Sequence, residues 1–306
     1  MHPALSVIVF TVSSGLGYGL AVMLGLGLLD PATLAGKTAH VVALVLIAGG
    51  LLSSTLHLGN PRRAWRAFSQ WRSSWLSREG VAAVATFVPL TIAAGTSLFM
   101  GKHVPVVGLI GAVMALTTVY CTAMIYASLR SIQAWATPLT PASYMLLSLA
   151  GGAVLATCFA AAGGGHARGI AAAAIPLLIA AWVAKLAWRN RMLTMRPIST
   201  PETATGLGFI GKVGLFESPH TNDSYLTREM GYRIARKHAA KLAAISLGLG
   251  GVVPVLAMGV VLASEPGILG LCAAIAGFLG FVTGVFVERW LFFAEARHAV
   301  ANYYGR

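Results

Sequence analysis

Long apolar runs alternate with mostly short polar connections along the whole chain. Eight runs are long enough to cross a bilayer, since about 30 Å of hydrocarbon needs roughly 20 helical residues. They cover approximately residues 6–28, 41–57, 81–100, 106–127, 142–163, 170–188, 242–263 and 267–291. The pattern predicts an all-α integral membrane protein with eight transmembrane helices, in which residues 1–306 form a single membrane domain.

Two connections are longer than the rest. Residues 56–80 read LHLGNPRRAWRAFSQWRSSWLSREG, and the second connection spans residues 189–239. The second is rich in turn-forming residues until about 224–239, where an apolar stripe and several basic residues predict an amphipathic helix leading into the seventh span. We expect this helix to lie along anionic headgroups, with contact to a soluble partner as the alternative.

Composition supports the membrane interpretation. The 306 residues are 57% hydrophobic and 10% charged, and the mean hydropathy is +0.77, whereas soluble domains carry about 25% charged residues. The first apolar run lacks a preceding basic region and is predicted to be a mature span. Glycine pairs at GxxxG spacing, Gly15 with Gly19 and Gly280 with Gly284, predict close helix contacts.

Charge predicts the orientation and argues against one class of partner. Eighteen lysines and arginines fall on the side that holds both termini and the even-numbered connections. Three, Lys37, Lys102 and Arg168, fall on the other, and Lys185 lies within a span, from which it can snorkel to the surface. Both termini are therefore predicted to be cytoplasmic, in a bacterial inner membrane. The net charge of +13 lies in loops, so nucleic acid is not an expected partner.

No metal site is predicted. The three cysteines lie in apolar stretches without metal-ligand spacing, and we expect them to be small buried residues rather than ligands of an iron–sulfur cluster or zinc. Haem is not expected either, because only the second span has a histidine near each end.

The connection at 56–80 holds the candidate chemistry. Its arginines and tryptophans are explained by topology and by an interfacial aromatic belt. His57 ends the second span and Glu79 stands just before the third, at a depth where ionisable groups are functional candidates.

These two groups suit a quinone, which takes up or releases two protons with two electrons. The imidazole of His57 can bind a quinone carbonyl and pass a proton, and Glu79 can relay that proton to water. Arg63 could hold Glu79 ionised or stabilise negative charge on the quinone. Tyr126 is a second hydrogen-bond donor or simply an interfacial tyrosine. Since the chain has no electron carrier of its own, electrons must pass to or from another subunit.

Several segments resemble one family. MHPALSVIVFTVSSGLGYGL at the N-terminus, LHLGNPRRAW, LSREG, AWATPLTP and ERWLFF are similar to the DmsC family of membrane anchor subunits of dimethyl sulfoxide reductase-type molybdoenzymes. The resemblance implies eight helices without a prosthetic group, docked to a ferredoxin-like iron–sulfur subunit that contacts a molybdopterin catalytic subunit. It also implies that His57 binds quinol, with Arg63 and Glu79 at matching motif positions and Tyr126 matching more loosely.

One departure changes the expected reaction. In dimethyl sulfoxide reductase the motif loop and the soluble subunits are periplasmic, whereas the charge pattern here predicts a cytoplasmic loop. This resembles the anchor of sulfite dehydrogenases of the SoeABC type, which pass electrons from sulfite to the quinone pool, ubiquinone or menaquinone. The alternatives are a menaquinol-oxidising anchor of a dimethyl sulfoxide reductase, a passive anchor and, from another class, a membrane transporter.

Overall fold

The computed structural model describes residues 4–55, 60–163, 165–197, 199–214, 216–217 and 234–299. All regular structure in these ranges is helical. The α-helices are α1 (Leu5–Gly25), α2 (Leu34–Thr55), α3 (Trp75–Met100), α4 (Pro105–Ala127), α5 (Leu139–Gly163), α6 (Ala167–Thr194), α7 (Pro201–Thr205), α8 (Ile234–Leu247), α9 (Val253–Ala263) and α10 (Ile268–Ala294). A 3-10 helix covers Pro61–Phe68, and a π-helical turn, Gly248–Val252, joins α8 to α9.

Eight of the described helical segments are long and apolar enough to cross a membrane, which confirms the predicted number of spans. The seventh runs from Lys237 to Ala263 through the π-helical turn. Several helices begin earlier than their apolar runs, among them α2 at residue 34 and α3 at residue 75. The prediction that Glu79 precedes the third span is therefore wrong. Backbone hydrogen bonds extend a helix beyond its apolar stretch, so Glu79 lies in the second turn of α3.

The helices alternate in direction, and contacts between their ends show it. At one end, the hydroxyl of Ser97 on α3 donates to the carbonyl of Pro31 at 3.0 Å, and Arg168 on α6 donates to the carbonyl of Ser264 at 2.7 Å. Lys37 and Lys102 also lie at this end, which we call the opposite end.

The other end holds most of the described basic residues, and we call it the basic end. There the Ser53 hydroxyl of α2 donates to the carbonyl of Ser6 at 3.1 Å, and the Trp135 indole donates to the carbonyl of Phe292 at 3.1 Å. The connection at 60–74, the connection at 128–138 and the segment after α6 all lie at this end. For the connections that the structure describes, the grouping used to predict the orientation is thus correct.

Helix α1 lies at the centre of the bundle and contacts α2, α4, α5 and α10. Close approach depends on glycine: a Cβ on Gly19 would clash with the carbonyl of Ser148, and one on Gly284 would clash with the backbone of Gly250. The predicted contact role is confirmed for these two glycines and for Gly280. A Cβ on Gly15 would have no other atom within 4 Å, so its side of α1 is open.

The outer surface of the bundle is apolar. Large hydrophobic side chains such as Val45, Leu52, Val84 and Leu256 are more than half exposed in the isolated chain. This is the surface expected to face lipid. Cys272 belongs to it, so the prediction that all three cysteines are buried is wrong for this residue, whereas Cys121 is buried.

The predicted connection at 189–239 is shorter than expected, because α6 continues to Thr194. Of the amphipathic helix predicted at about 224–239, only the part from Ile234 is described, and that part is helical. Residues 218–233 lie outside the described residues. Within the seventh span, the indole of Trp182 donates to the carbonyl of Gly250 at 2.8 Å and so binds the π-helical turn to α6.

Candidate functional site

Glu79 is buried between α3 and α4. The residue is 5% exposed, and its carboxylate oxygen lies 2.5 Å from the hydroxyl of Thr122, which is also 5% exposed. None of the ion pairs among the described residues includes Glu79. A carboxyl group so placed is held by a single neutral partner, although burying a charge without a counterion is costly.

The hydroxyl of Thr122 has two possible acceptors but only one proton. It lies 2.5 Å from the Glu79 carboxylate and 3.1 Å from the carbonyl of Thr118, one turn earlier on α4. When Glu79 is ionised, the hydroxyl donates to the carboxylate. When Glu79 is protonated, the carboxyl donates to the hydroxyl, which then donates to the Thr118 carbonyl. The same backbone therefore accommodates both protonation states of Glu79.

The connection at 60–74 is fastened to the first turns of α3. The hydroxyl of Ser77 donates to the carbonyl of Ala67 and accepts from the backbone N–H of Gln70 at 3.1 Å. Arg78 donates to the carbonyl of Trp71 at 2.9 Å, and its guanidinium lies 4.3 Å from the centre of the Trp75 ring. These contacts set the position of the loop beside the Glu79 site.

The predicted constellation of His57, Arg63 and Glu79 is described only in part. His57 lies outside the described residues. Arg63 is exposed on the 3-10 helix, and its backbone N–H donates to the carbonyl of Asn60 at 3.1 Å. The described ion pairs do not join Arg63 to Glu79, so its proposed effect on that carboxyl remains a prediction.

Tyr126 lies in an aromatic cluster at the basic end rather than on the lipid surface. Its ring centre is 5.3 Å from those of Trp135 and Phe293, 5.7 Å from that of Phe292, and 5.8 Å from that of Tyr144, on which it is stacked. Edge-to-face and stacked contacts of this kind hold the ring rigidly. A direct bond from Tyr126 to a quinone remains a prediction.

Sequence reasoning missed a cluster of three buried charges, which we call the ionic triad: Lys185 on α6 with Glu288 and Arg289 on α10. They are 7%, 2% and 3% exposed. The ammonium of Lys185 lies 2.5 Å from one carboxylate oxygen of Glu288, and the Arg289 guanidinium lies 3.3 Å from the other. The prediction that Lys185 snorkels to the surface is wrong, because an acid on a neighbouring helix holds it inside.

A signal for the triad was present in the sequence. Glu288 and Arg289 fall within the last apolar run, in ERWLFF, and an acid inside a span requires a partner. The pairing of Lys185 with Glu288 could not be predicted from the sequence, because α6 and α10 are far apart in the chain. Aromatic rings complete the setting: Lys185 lies 3.6 Å over the ring of Trp188, and Arg289 lies 3.6 Å over the ring of Tyr144.

A small cavity separates the Glu79 site from the triad. Its volume is about 20 Å³, and residues of α1, α4, α5 and α10 line it, including Thr122, Tyr18, Tyr144 and Arg289. One water molecule needs at least about 10–15 Å³ of such volume, so the cavity can hold one water. It is too small for a quinone ring.

The described residues contain no group of three or more His, Cys, Asp or Glu side chains arranged to hold a metal ion. His40 and His103 both lie at the opposite end of the bundle. Their ring nitrogens are 2.9 Å from the carbonyl of Gly36 and 3.1 Å from the carbonyl of Gly25, respectively. Both imidazoles therefore serve local backbone contacts.

Comparison with known proteins places this architecture in a family. The model of the DMSO reductase anchor subunit (DmsC) family matches residues 1–294. The chain belongs to this family. A relative that forms part of the sulfite dehydrogenase of Allochromatium vinosum is 33% identical over 327 aligned positions, covering 99% of each chain. The predicted resemblance to the DmsC family is confirmed, and eight apolar helices in an anchor family make the chain a multi-pass membrane protein.

Proposed function

We propose that this chain is the quinone-reactive membrane anchor of a molybdopterin oxidoreductase, exchanging electrons between an iron–sulfur subunit and the quinone pool. Glu79 is the proton relay of the quinone site. The observation that carries the proposal is the pairing of Glu79 with Thr122, since this buried carboxyl can gain or lose a proton by reorienting one hydroxyl. A passive anchor would not need an ionisable group at that position.

The geometry favours a relay role for Glu79 over direct contact with the quinone. The carboxyl is enclosed by α3 and α4, and the cavity beside Thr122 has room for a water but not for a ring. The quinone head therefore binds outside this helix pair and contacts His57, the residue that the family resemblance implicates in quinol binding. In that arrangement His57 exchanges the proton with the quinone, and Glu79 exchanges it with the protein interior.

The soluble subunits dock at the basic end. This end presents the segment after α7, where Phe209, Ile210 and Phe216 are 86%, 72% and 104% exposed. Large hydrophobic side chains exposed outside the spans mark an interaction surface. The partners are a ferredoxin-like iron–sulfur subunit, which contacts the anchor, and a molybdopterin catalytic subunit behind it. The excess of basic residues supports placing this end in the cytoplasm of a bacterial cell.

The reaction is sulfite oxidation with electron transfer to the quinone pool. The predicted cytoplasmic orientation supports this choice, as does 33% identity over the whole length to a protein named as part of a sulfite dehydrogenase. The second candidate is menaquinol oxidation in a dimethyl sulfoxide reductase, which the family description itself favours. Both reactions use the same quinone site, and the electron flow is reversed.

The proposal is tested by Glu79→Gln in the assembled complex. Gln has nearly the shape of Glu and can still bond the Thr122 hydroxyl, but it cannot carry a proton. We expect sulfite-dependent reduction of a short-chain quinone to fall by about 100-fold or more, the usual contribution of a general acid–base group. Sulfite-dependent reduction of ferricyanide, which takes electrons from the soluble subunits, should be unchanged.

Thr86→Val is the matched control. Thr86 is 1% exposed and bonds the hydroxyl of Thr118 at 3.0 Å across the same α3–α4 interface, deeper in the bundle. Its loss perturbs packing without removing a titratable group, so quinone reduction should continue. Equal quinone rates in Glu79→Gln and the unaltered complex would refute the relay. Activity with dimethyl sulfoxide and a reduced naphthoquinone, but not with sulfite, would favour the second candidate.

His57→Ala provides an independent test of the quinone contact. The complex should assemble and retain ferricyanide reduction, because His57 is proposed to contact the quinone rather than a subunit. Quinone-linked turnover should be lost. Unchanged quinone kinetics would favour a passive anchor.

A further inference from the structure

The ionic triad is a costly feature for a membrane span. Lys185, Glu288 and Arg289 are nearly fully buried, yet a buried ion pair seldom stabilises a fold more than well-packed apolar side chains do. The triad also has one more cation than anion. Ionisable groups retained inside a membrane protein commonly mark a path for ions or protons.

Toward the basic end, the triad continues into a second ion pair on the same two helices. Arg189 lies one turn after Lys185 on α6, and Glu295 lies two turns after Glu288, at the end of α10. The guanidinium of Arg189 is 2.5 Å from the carboxylate of Glu295, and Glu295 also interacts electrostatically with Lys185. This second pair lines a surface cavity of about 620 Å³ at the basic end. One side of the triad therefore leads to the surface.

Toward the bundle centre, the triad reaches the water-sized cavity. Arg289 and Tyr144 line it, and so does Thr122, whose hydroxyl bonds Glu79. Two residues that line this cavity carry buried polar groups without a hydrogen bond to the described residues: the hydroxyl of Tyr144 and the Nε of Arg289. Buried polar groups in proteins are nearly always paired. A single water in the cavity would have the two to four polar partners that a buried water needs.

We propose that Tyr144, Glu288 and Lys185, with a water in this cavity, form the internal route by which Glu79 exchanges protons with the basic end. The proposal rests on the proposed function, in which Glu79 relays protons of the quinone reaction. It assigns a role to residues that contact neither the quinone nor the soluble subunits.

Each proton transfer along the route is balanced. A proton leaving Glu79 passes through the Thr122 hydroxyl to the cavity water, and from there to the Tyr144 hydroxyl. The Tyr144 hydroxyl makes no hydrogen bond to Glu288 in the structure, so the transfer to the Glu288 carboxylate requires this hydroxyl to rotate toward it. As Glu288 is neutralised, the Lys185 ammonium releases a proton toward the Arg189–Glu295 pair, which lies beyond its direct ion-pair distance, and Lys185 recovers one from Glu288. Arg289 keeps its charge throughout, because a guanidinium is not deprotonated in proteins. For quinone reduction the same steps run inward.

Tyr144→Phe is the sharpest test, because it removes one hydroxyl without a partner and keeps the ring on which Arg289 rests. Ser143→Ala is its control. The Ser143 hydroxyl is equally buried and unpaired within the described residues, one position away on α5, but it does not line the cavity. We expect Tyr144→Phe to slow quinone-linked turnover at least about tenfold and to raise its solvent deuterium isotope effect. Ser143→Ala should change neither.

Lys185→Met interrupts the route on the other side of Glu288. It leaves Glu288 and Arg289 as a neutral pair, and the expected loss of turnover and rise in isotope effect are the same as for Tyr144→Phe. Ferricyanide reduction by the soluble subunits should be unaffected in both variants. If Lys185→Met does not assemble, Tyr144→Phe decides alone.

The outcomes separate the two proposals. If Glu79→Gln abolishes quinone turnover while Tyr144→Phe behaves like Ser143→Ala, the route is refuted and the proposed function stands. If Glu79→Gln has no effect, the proposed function fails and the route fails with it. An equal fall of quinone and ferricyanide activity in Tyr144→Phe would assign the residue a structural role and also overturn the route.

Discussion

Substitutions in the ionic triad should differ sharply in their cost, and the charges predict the order. The triad holds two cations and one anion, with Glu288 between Lys185 at 2.5 Å and Arg289 at 3.3 Å. Glu288→Gln leaves both cations buried without an anion. Breaking one buried pair costs about 3–5 kcal/mol, so we expect a loss of stability at or above the upper part of this range.

Lys185→Met should be much less harmful. The remaining Glu288 and Arg289 form a neutral pair, and Met fills the volume that the lysine stem occupied over Trp188. The expected cost is that of an ordinary substitution, roughly 0.5–3 kcal/mol. The prediction is therefore that Glu288→Gln lowers the free energy of unfolding more than Lys185→Met does, rather than either value alone.

The assay is equilibrium unfolding of the purified chain in mixed detergent micelles with increasing SDS, followed by tryptophan fluorescence. Glu265→Gln is the control, since it makes the same chemical change in an exposed pair, Arg168 with Glu265 at 2.9 Å. Such a surface pair contributes about 0–1 kcal/mol. The reasoning is refuted if Glu288→Gln unfolds like Glu265→Gln, or if Lys185→Met is as unstable as Glu288→Gln.

Three further predictions concern the bundle, its orientation and its cofactors. Gly19→Ala should destabilise the chain by about 1–3 kcal/mol or more through the clash with the Ser148 carbonyl, and Gly15→Ala should not. If the two variants had similar unfolding midpoints in the same assay, the close contact of α1 and α5 would be contradicted. Ser73→Cys, at an exposed position of the basic end, should react in intact cells only with thiol reagents that cross the membrane. Labelling by an impermeant reagent would refute the predicted orientation and favour the dimethyl sulfoxide alternative. The purified chain should show no Soret absorption, and a haem spectrum would overturn the expectation that the quinone is its redox partner.

Hydrophobic periodicity and charge were sufficient to predict the number of spans and the alternation of their direction across the membrane. A hydrocarbon layer imposes a minimum length on each apolar run, and this constraint acts on every span separately. Candidate residues beside the 56–80 connection could be chosen for a similar reason, since ionisable groups are conspicuous next to apolar runs. The start of α3 could not be placed, because polar residues such as Arg78 and Glu79 continue a helix as well as apolar ones do.

Pairing between helices is what the sequence by itself did not determine. Glu79 was recognisable as a carboxyl at the edge of an apolar run, but its partner Thr122 is 43 residues away, and threonine is common in membrane spans. Lys185 looked like a solitary cation until the fold brought Glu288 within 2.5 Å. Apolar periodicity indicates which residues enter the membrane. The packing of α3 against α4, and the placement of α10 within side-chain reach of α6, decide which polar groups meet there. That placement depends on packing among all the helices at once.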